Sequence, residues 1–143
     1  MSDNKELARQ FYDVVFNAGE LDRVEEFCTQ DFVDHEDTPE GLPDGIEGVK
    51  AFVRMFRDGF PDLHASIEDL LADGDRVATR VRVTGTHEGE FMGVPPSGNK
   101  IEIETMDIVR VENGKAAEHW GLTDGMALMM QIGALSPDPV AQS

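Results

Sequence analysis

"KIEIETMDIVRVENGKAAEHWGLT", residues 100–123, decides the fold. As far as Val111 it follows the two-residue period of a strand with one buried face. Asn113-Gly114 is the strongest short signal for a tight hairpin, because both residues accept positive φ. "AAEHWGL" then returns as a second antiparallel strand. On the first strand Ile101, Ile103, Thr105, Asp107, Val109 and Val111 share a face, which sets Asp107 among apolar neighbours on the core side. A two-residue turn pairs Glu112 with Lys115 and brings Asp107 opposite Trp120, with His119 one diagonal step away. A slip in register brings Asp107 opposite His119 instead.

Working outward, "RVATRVRVTGTH" (76–87) alternates in the same way. Val77, Thr79, Val81 and Val83 lie on one side, and Arg76, Arg80 and Arg82 on the other. The arginine side can oppose Glu102 and Glu104 across strands. "LHASIEDLLA" (63–72) is a further strand, joined by the turn "DGDR"; "EGEFMGVPPSGN" (88–99) is an irregular loop. Before residue 60 the period is helical. Residues 3–18 carry Leu7, Phe11, Val14 and Val15 on one face, open with a capping-box spacing at Asp3 and Glu6, and stop at Gly19. A second short helix turns Leu21, Val24, Phe27 and Cys28 inward. "DFVDHEDTPEGLPDG" (31–45) reads as a loop. A third helix runs from about Ile46 to Gly59, ended by Pro61. "DGMALMMQIG" (124–133) forms a short last helix. Helices first and an antiparallel meander last make an α+β domain, expected over residues 1–135, with a tail over 136–143.

The composition narrows the function. Twelve basic residues against 29 acidic ones leave a formal charge of -17, which repels phosphate backbones and anionic membranes. No apolar run approaches the roughly 20 residues of a membrane span. The polar start "MSDNKELARQ" is unlike a secretory signal, and Cys28 is the single cysteine, so a cytoplasmic protein is expected. No HxxxH, HExxH or cysteine pair is present, nor a phosphate loop or serine elbow. No metal or cofactor is therefore expected. What remains is acid/base chemistry by histidine and carboxylate.

Asp107, His119 and Asp124 are the candidate catalytic residues; His35, His87, Met92 and Trp120 are the candidate substrate contacts. Each also has a plain structural reading. An inward Asp107 can be held by backbone or a buried water, and His119 can be a satisfied structural histidine. Trp120 can be core, and Asp124 can be a helix N-cap. His35 can be a solvated loop histidine, and His87 can satisfy loop backbone. Met92, Met106, Met126, Met129 and Met130 suggest an adaptable apolar lining or simple core filling.

The segment "GTHEGEFMGVPPSGNKIEIETMDIVRVENGKAAEHWGLTDGMALMMQIGAL", with "DFVDHE" and "FPDLHASIEDLLADGDRVATRVRVTGTH" before it, resembles the SnoaL-like polyketide cyclase family over nearly the whole chain. The resemblance implies an NTF2-like cone, with N-terminal helices packed on a strongly curved antiparallel sheet around a pocket. It implies intramolecular aldol ring closure without metal or cofactor. It puts the family's acid/base aspartate at Gly121 and a pocket histidine at Asp107, whereas His119 and Asp124 match by type. The acid/base role would then fall to Asp107, His119 or Asp124. The expected ligand is a small apolar carbonyl compound, and the expected assembly a homodimer through the outer sheet face. A non-catalytic binding or dimerisation module and a cofactor-independent hydroxylase are the alternatives.

Overall fold

A computed structural model describes residues 4–36, 39 and 41–134. Asp3 of the expected capping box and the expected tail over 136–143 lie outside the described residues. The first helix, α1 (Asn4–Phe11), runs on as a widened π turn over Tyr12–Asn17 and stops at Gly19, whose φ is +74°. A 3-10 turn (Leu21–Glu26) follows. Then come β1 (Cys28–Asp34), α2 (Gly45–Gly59), β2 (His64–Asp73), β3 (Arg76–Thr86), β4 (Lys100–Glu112), β5 (Lys115–Thr123) and α3 (Gly125–Gln131). The helices and curled mixed sheet make an α+β fold of the NTF2-like type.

The sheet order is β1-β5-β4-β3-β2. β2 to β5 form the antiparallel meander read from alternation, and β1 adds to β5 in parallel. The inward row Val77, Val81 and Val83 on β3 is buried, as are Ile101 and Ile103 on β4. Phe16, Val53, Phe56 and Phe60 from the helical layer pack onto that face. Fully burying such a side chain contributes about 1.5–3 kcal/mol. The opposite face carries the charged ladder, with Arg80 bonded to Asp69 and to Glu104, each at 2.6 Å.

Two expectations change. Cys28 opens a strand rather than closing a helix, and β1 occupies the start of the segment read as a loop. Its burial pattern does not alternate, and its pairing with β5 shifts between Cys28 and Val33. A strand of that kind leaves no two-residue signal. The second change is a β-bulge in β5. Glu112↔Lys115 and Val111↔Ala116 pair as the turn predicts, and then the register slips by one, so Arg110 meets Glu118 and Asp107 meets Gly121. Ala116 and Ala117 are both buried at the slip. An extra residue in one strand exchanges the faces of everything beyond it. His119, Gly121 and Thr123 therefore turn inward, and Trp120 turns outward.

Candidate active site

The helices and the inner sheet face enclose a cavity of about 140 Å³. Its walls are mostly apolar, with Phe11, Phe16, Phe52 and Phe56 among the lining residues. Its ionisable side chains gather on one wall: Tyr12, Asp34, Glu36, Asp107 and His119, with Cys28 nearby.

Three inward rows across the sheet build that wall. The middle one runs Thr79–Asp107–Gly121, flanked by Val77–Val109–His119 and Val81–Thr105–Thr123. His119 Nε2 lies 2.7 Å from Asp107 Oδ1, and its Nδ1 lies 2.9 Å from Asp34 Oδ1. Carboxylates at both ring nitrogens call for an imidazolium that donates twice. Burial pulls the His119 pKa down, but Asp107 and Asp34 outweigh it and hold it up at about 10. Asp107 Oδ2 accepts from the Tyr12 hydroxyl at 3.2 Å and from Thr105 Oγ1 at 3.0 Å. Burial, and then the charge of Asp107, keeps the Tyr12 phenol well above its ordinary value, so it stays a donor. The widened turn after α1 carries this tyrosine, and such turns often occur at functional sites.

With Asp34 and Tyr12, Glu36 is a residue that sequence reasoning missed; it lies just past β1. Its side chain is 10% exposed, and its Oε2 accepts from Thr123 Oγ1 at 3.0 Å. Burial raises its pKa, His119 and Thr123 oppose that, and Asp107 and Asp34 add to it. The acidic run "VDHED" hid it, because only the parallel pairing of β1 with β5 turns Asp34 and Glu36 toward the cavity. Gly121 forms the floor between these groups. A Cβ there would lie 2.6 Å from both Asp107 Oδ1 and Glu36 Oε1, and 2.8 Å from His119 Cε1.

The remaining candidates lie elsewhere. Trp120 and His35 are outside the cavity, stacked on each other with centroids 4.9 Å apart; the Arg76 guanidinium is 4.7 Å from the indole. His35 Nε2 meets Glu118 Oε2 at 2.9 Å. His87 is fully buried and pins its loop, with Nδ1 accepting from Ser97 N–H at 3.2 Å. Met92 is exposed in that loop, and Asp124 caps α3 by accepting from Ala127 N–H at 3.1 Å. None of these five lines the cavity. Nor do Met106, Met126 and Met130, which are exposed. Their outward register, not the apolar character of methionine, decides their surroundings.

Asp34, Glu36 and His119 place one donor atom each within 4.8 Å of one another, a spacing that a cation could span. The hydrogen bonds at both ring nitrogens favour a proton there, since a metal ion needs a neutral imidazole. Cys28 is buried, and burial followed by the Asp34 charge pushes its thiol up to about 12, so it stays protonated and unreactive.

Residues 6–132 match the family described as SnoaL-like polyketide cyclase. Among curated relatives, the nogalonic acid methyl ester cyclase of Streptomyces nogalater is 26% identical, over 86% of this chain and 92% of that one. The structure of TsrD from Streptomyces laurentii superposes with a TM-score of 0.83 at 27% identity, covering 94% of this chain and all of that one. A solved structure from Bacillus cereus ATCC 10987 is 35% identical with a TM-score of 0.80, covering 91% of this chain and 80% of that one. The chain belongs to the SnoaL-like polyketide cyclase family.

Proposed function

We propose that this chain is a cofactor-independent cyclase or isomerase for a small apolar carbonyl compound, with a polyketide methyl ester as the first candidate. One observation carries the reading: an apolar cavity whose ionisable groups converge around a buried histidine–carboxylate pair. In an aldol ring closure a carboxylate takes a proton from the carbon beside one carbonyl. The resulting enolate carbon bonds to a second carbonyl carbon of the same molecule, and the new alkoxide takes the proton back. Product and substrate are isomers, so nothing is oxidised or lost. The Asp107–His119 pair supports the charge that develops, because His119 carries a positive charge into a water-poor chamber. Thr79 Oγ1 is buried beside Asp107 and near the Tyr12 hydroxyl, makes no short hydrogen bond among the described residues, and can turn to donate to a substrate carbonyl.

Gly121 favours a second reading, a non-catalytic binding module. Incubation with nogalonic acid methyl ester separates the two. Turnover gives a new chromatographic peak of unchanged mass, whereas the module binds the ester and returns it intact. Turnover should persist in EDTA; loss that one divalent ion restores would move the chemistry to the Asp34–Glu36–His119 group.

We also propose a homodimer and a cytoplasmic setting. Met106 and Leu122 pair across strands on the outer face at 59% and 79% exposure, with Ile108 beside them. An apolar patch of that kind fits a second copy of the same face. Among the described residues no helix is long and apolar enough to cross a membrane.

A further inference from the structure

We propose that Glu36 is the general base of this site, taking the substrate proton on Oε1 in the hollow left by Gly121; the assignment rests on the acid/base reading above. Three carboxylates surround His119, and their oxygens are unequally occupied. Asp107 receives His119 on one oxygen, and Tyr12 and Thr105 on the other. Asp34 Oδ1 receives His119 and the Glu36 N–H, the latter at 2.9 Å. Glu36 receives Thr123 on Oε2 alone. Its Oε1 accepts no hydrogen bond from the described residues, and the nearest cationic atom, His119 Nδ1, is 3.9 Å away. A carboxylate oxygen that already accepts strong hydrogen bonds is a weak base, since those bonds favour its charged form. Glu36 Oε1 and Asp34 Oδ2 are the oxygens left to accept a proton, and the Glu36 side chain is the more deeply buried, 10% exposed against 26% for Asp34.

Space points the same way. A β-carbon at position 121 would sit within 2.6 Å of Oε1, so any larger residue would displace the carboxylate or fill the room a substrate needs. Glycine here is not required by backbone conformation, because Gly121 does not have positive φ. It is required by close approach. The groups facing Glu36 are Asp34 on β1, Asp107 on β4, His119 and Thr123 on β5, and the Tyr12 phenol from the turn after α1. Two of them are like charges, and with burial they raise the affinity of Glu36 for a proton. A base is most effective when its pKa approaches the working pH. A third carboxylate serves no structural need beside one histidine, since glutamine would fill the volume and keep the bond to Thr123.

The test uses 5-nitrobenzisoxazole, an apolar carbon acid. Its elimination reports proton removal directly: the base takes the C3 hydrogen, the N–O bond breaks, and the coloured cyanophenolate leaves. Wild-type protein should accelerate the reaction over acetate, with a rate that rises through an ionisation above the ordinary glutamate range. Glu36→Gln should lose roughly 10²–10⁴-fold in rate while binding the probe as before, followed by NMR of cavity methyl groups. Glu36→Asp, which keeps the charge and shortens the reach, should fall in between. Full activity in Glu36→Gln with loss in Asp107→Asn overturns the Glu36 assignment and leaves the acid/base reading standing. Probe bound without acceleration by wild type overturns both, and a cavity that takes up no probe removes the apolar-ligand reading beneath them. Should Glu36→Gln fail to fold, a 13C titration of the Glu36 carboxyl decides: an ordinary midpoint, unmoved by probe, sinks the proposal.

Discussion

His119 and His35 are joined by a backbone hydrogen bond of 2.7 Å, and each meets a carboxylate through a ring nitrogen, at 2.7 Å for Asp107 and 2.9 Å for Glu118. Inward, the His119 and Asp107 side chains are 17% and 12% exposed, and the imidazolium is held up at about 10. Outward, His35 and Glu118 are 39% and 27% exposed, and Glu118 has Arg110 as a closer partner at 2.6 Å. The same two chemical groups thus make a charged centre in a chamber on one side and a solvated contact on the other. Surroundings, not residue type, separate them, because Coulomb interactions strengthen as water is excluded.

The sharpest way to break this contrast is in the rate. His119→Gln and Asp107→Asn should each slow turnover of the ester roughly 10²–10⁴-fold, since each removes one half of the centre on which charge develops. The double variant should be little slower than either single one, because residues acting as a unit are non-additive. Fully additive losses would mean two independent roles, and the pair would lose its meaning. If folded Asp107→Asn turned over at the wild-type rate, Asp107 would leave the mechanism.

The next effect is on stability. His119 titrates at about 10 when folded and near 6.5 in an unfolded chain. Its contribution is therefore complete below pH 6.5 and is lost as the pH rises toward 10. Urea unfolding should show wild-type protein losing on the order of 3–5 kcal/mol over that window, at about 1.4 kcal/mol per pH unit, beyond any change in His119→Gln. Parallel curves for the two proteins would show that the buried ring is neutral.

How much of this was legible depended on the element. β3 and most of β4 alternate cleanly, so their inward row, Asp107 included, followed from the two-residue period, whereas β2 has a register shift between Ile67 and Asp69. The hairpin at Asn113-Gly114 set the first two pairs correctly. The bulge at Ala116-Ala117 lies in plain small residues with no turn signal, so the exchange of His119 for Trp120 was hidden. Glu36 was out of reach for a different reason. Its place depends on a parallel pairing between strands some 80 residues apart, which no local pattern encodes. The same long-range pairing brings Asp34 to His119 and completes the site.

A smaller effect separates structure from recognition at Thr79. Its hydroxyl is buried and makes no short hydrogen bond among the described residues, so Thr79→Val should leave stability unchanged or raise it by about 1 kcal/mol, because an unmet hydroxyl is costly to bury. If that hydroxyl meets a substrate carbonyl, the same variant should raise KM about five- to tenfold, the loss of one hydrogen bond of about 1 kcal/mol. A lower stability with unchanged KM would make Thr79 a packing residue.

The smallest effect belongs to the outer pair. Arg110 first, and His35 second, hold the Glu118 carboxyl below the usual range, so loss of His35 leaves the stronger partner in place. Water screens what remains. His35→Gln and Glu118→Gln should both keep the wild-type rate, and His35→Gln should keep its urea midpoint. The proposed dimer supplies the way to break the comparison. Trp120 stacks on His35 and pairs across strands with Ile108, next to Met106 and Leu122 on the exposed face. If a second copy covers that face, the outer pair is dehydrated in the dimer, and its variants should then weaken association. Sedimentation of His35→Gln over a dilution series reads this directly. A midpoint for dissociation equal to wild type keeps the outer pair a solvated contact. A midpoint shifted to higher concentration, with the rate per folded monomer unchanged, would make it an assembly contact and confine the chemistry to the inner pair.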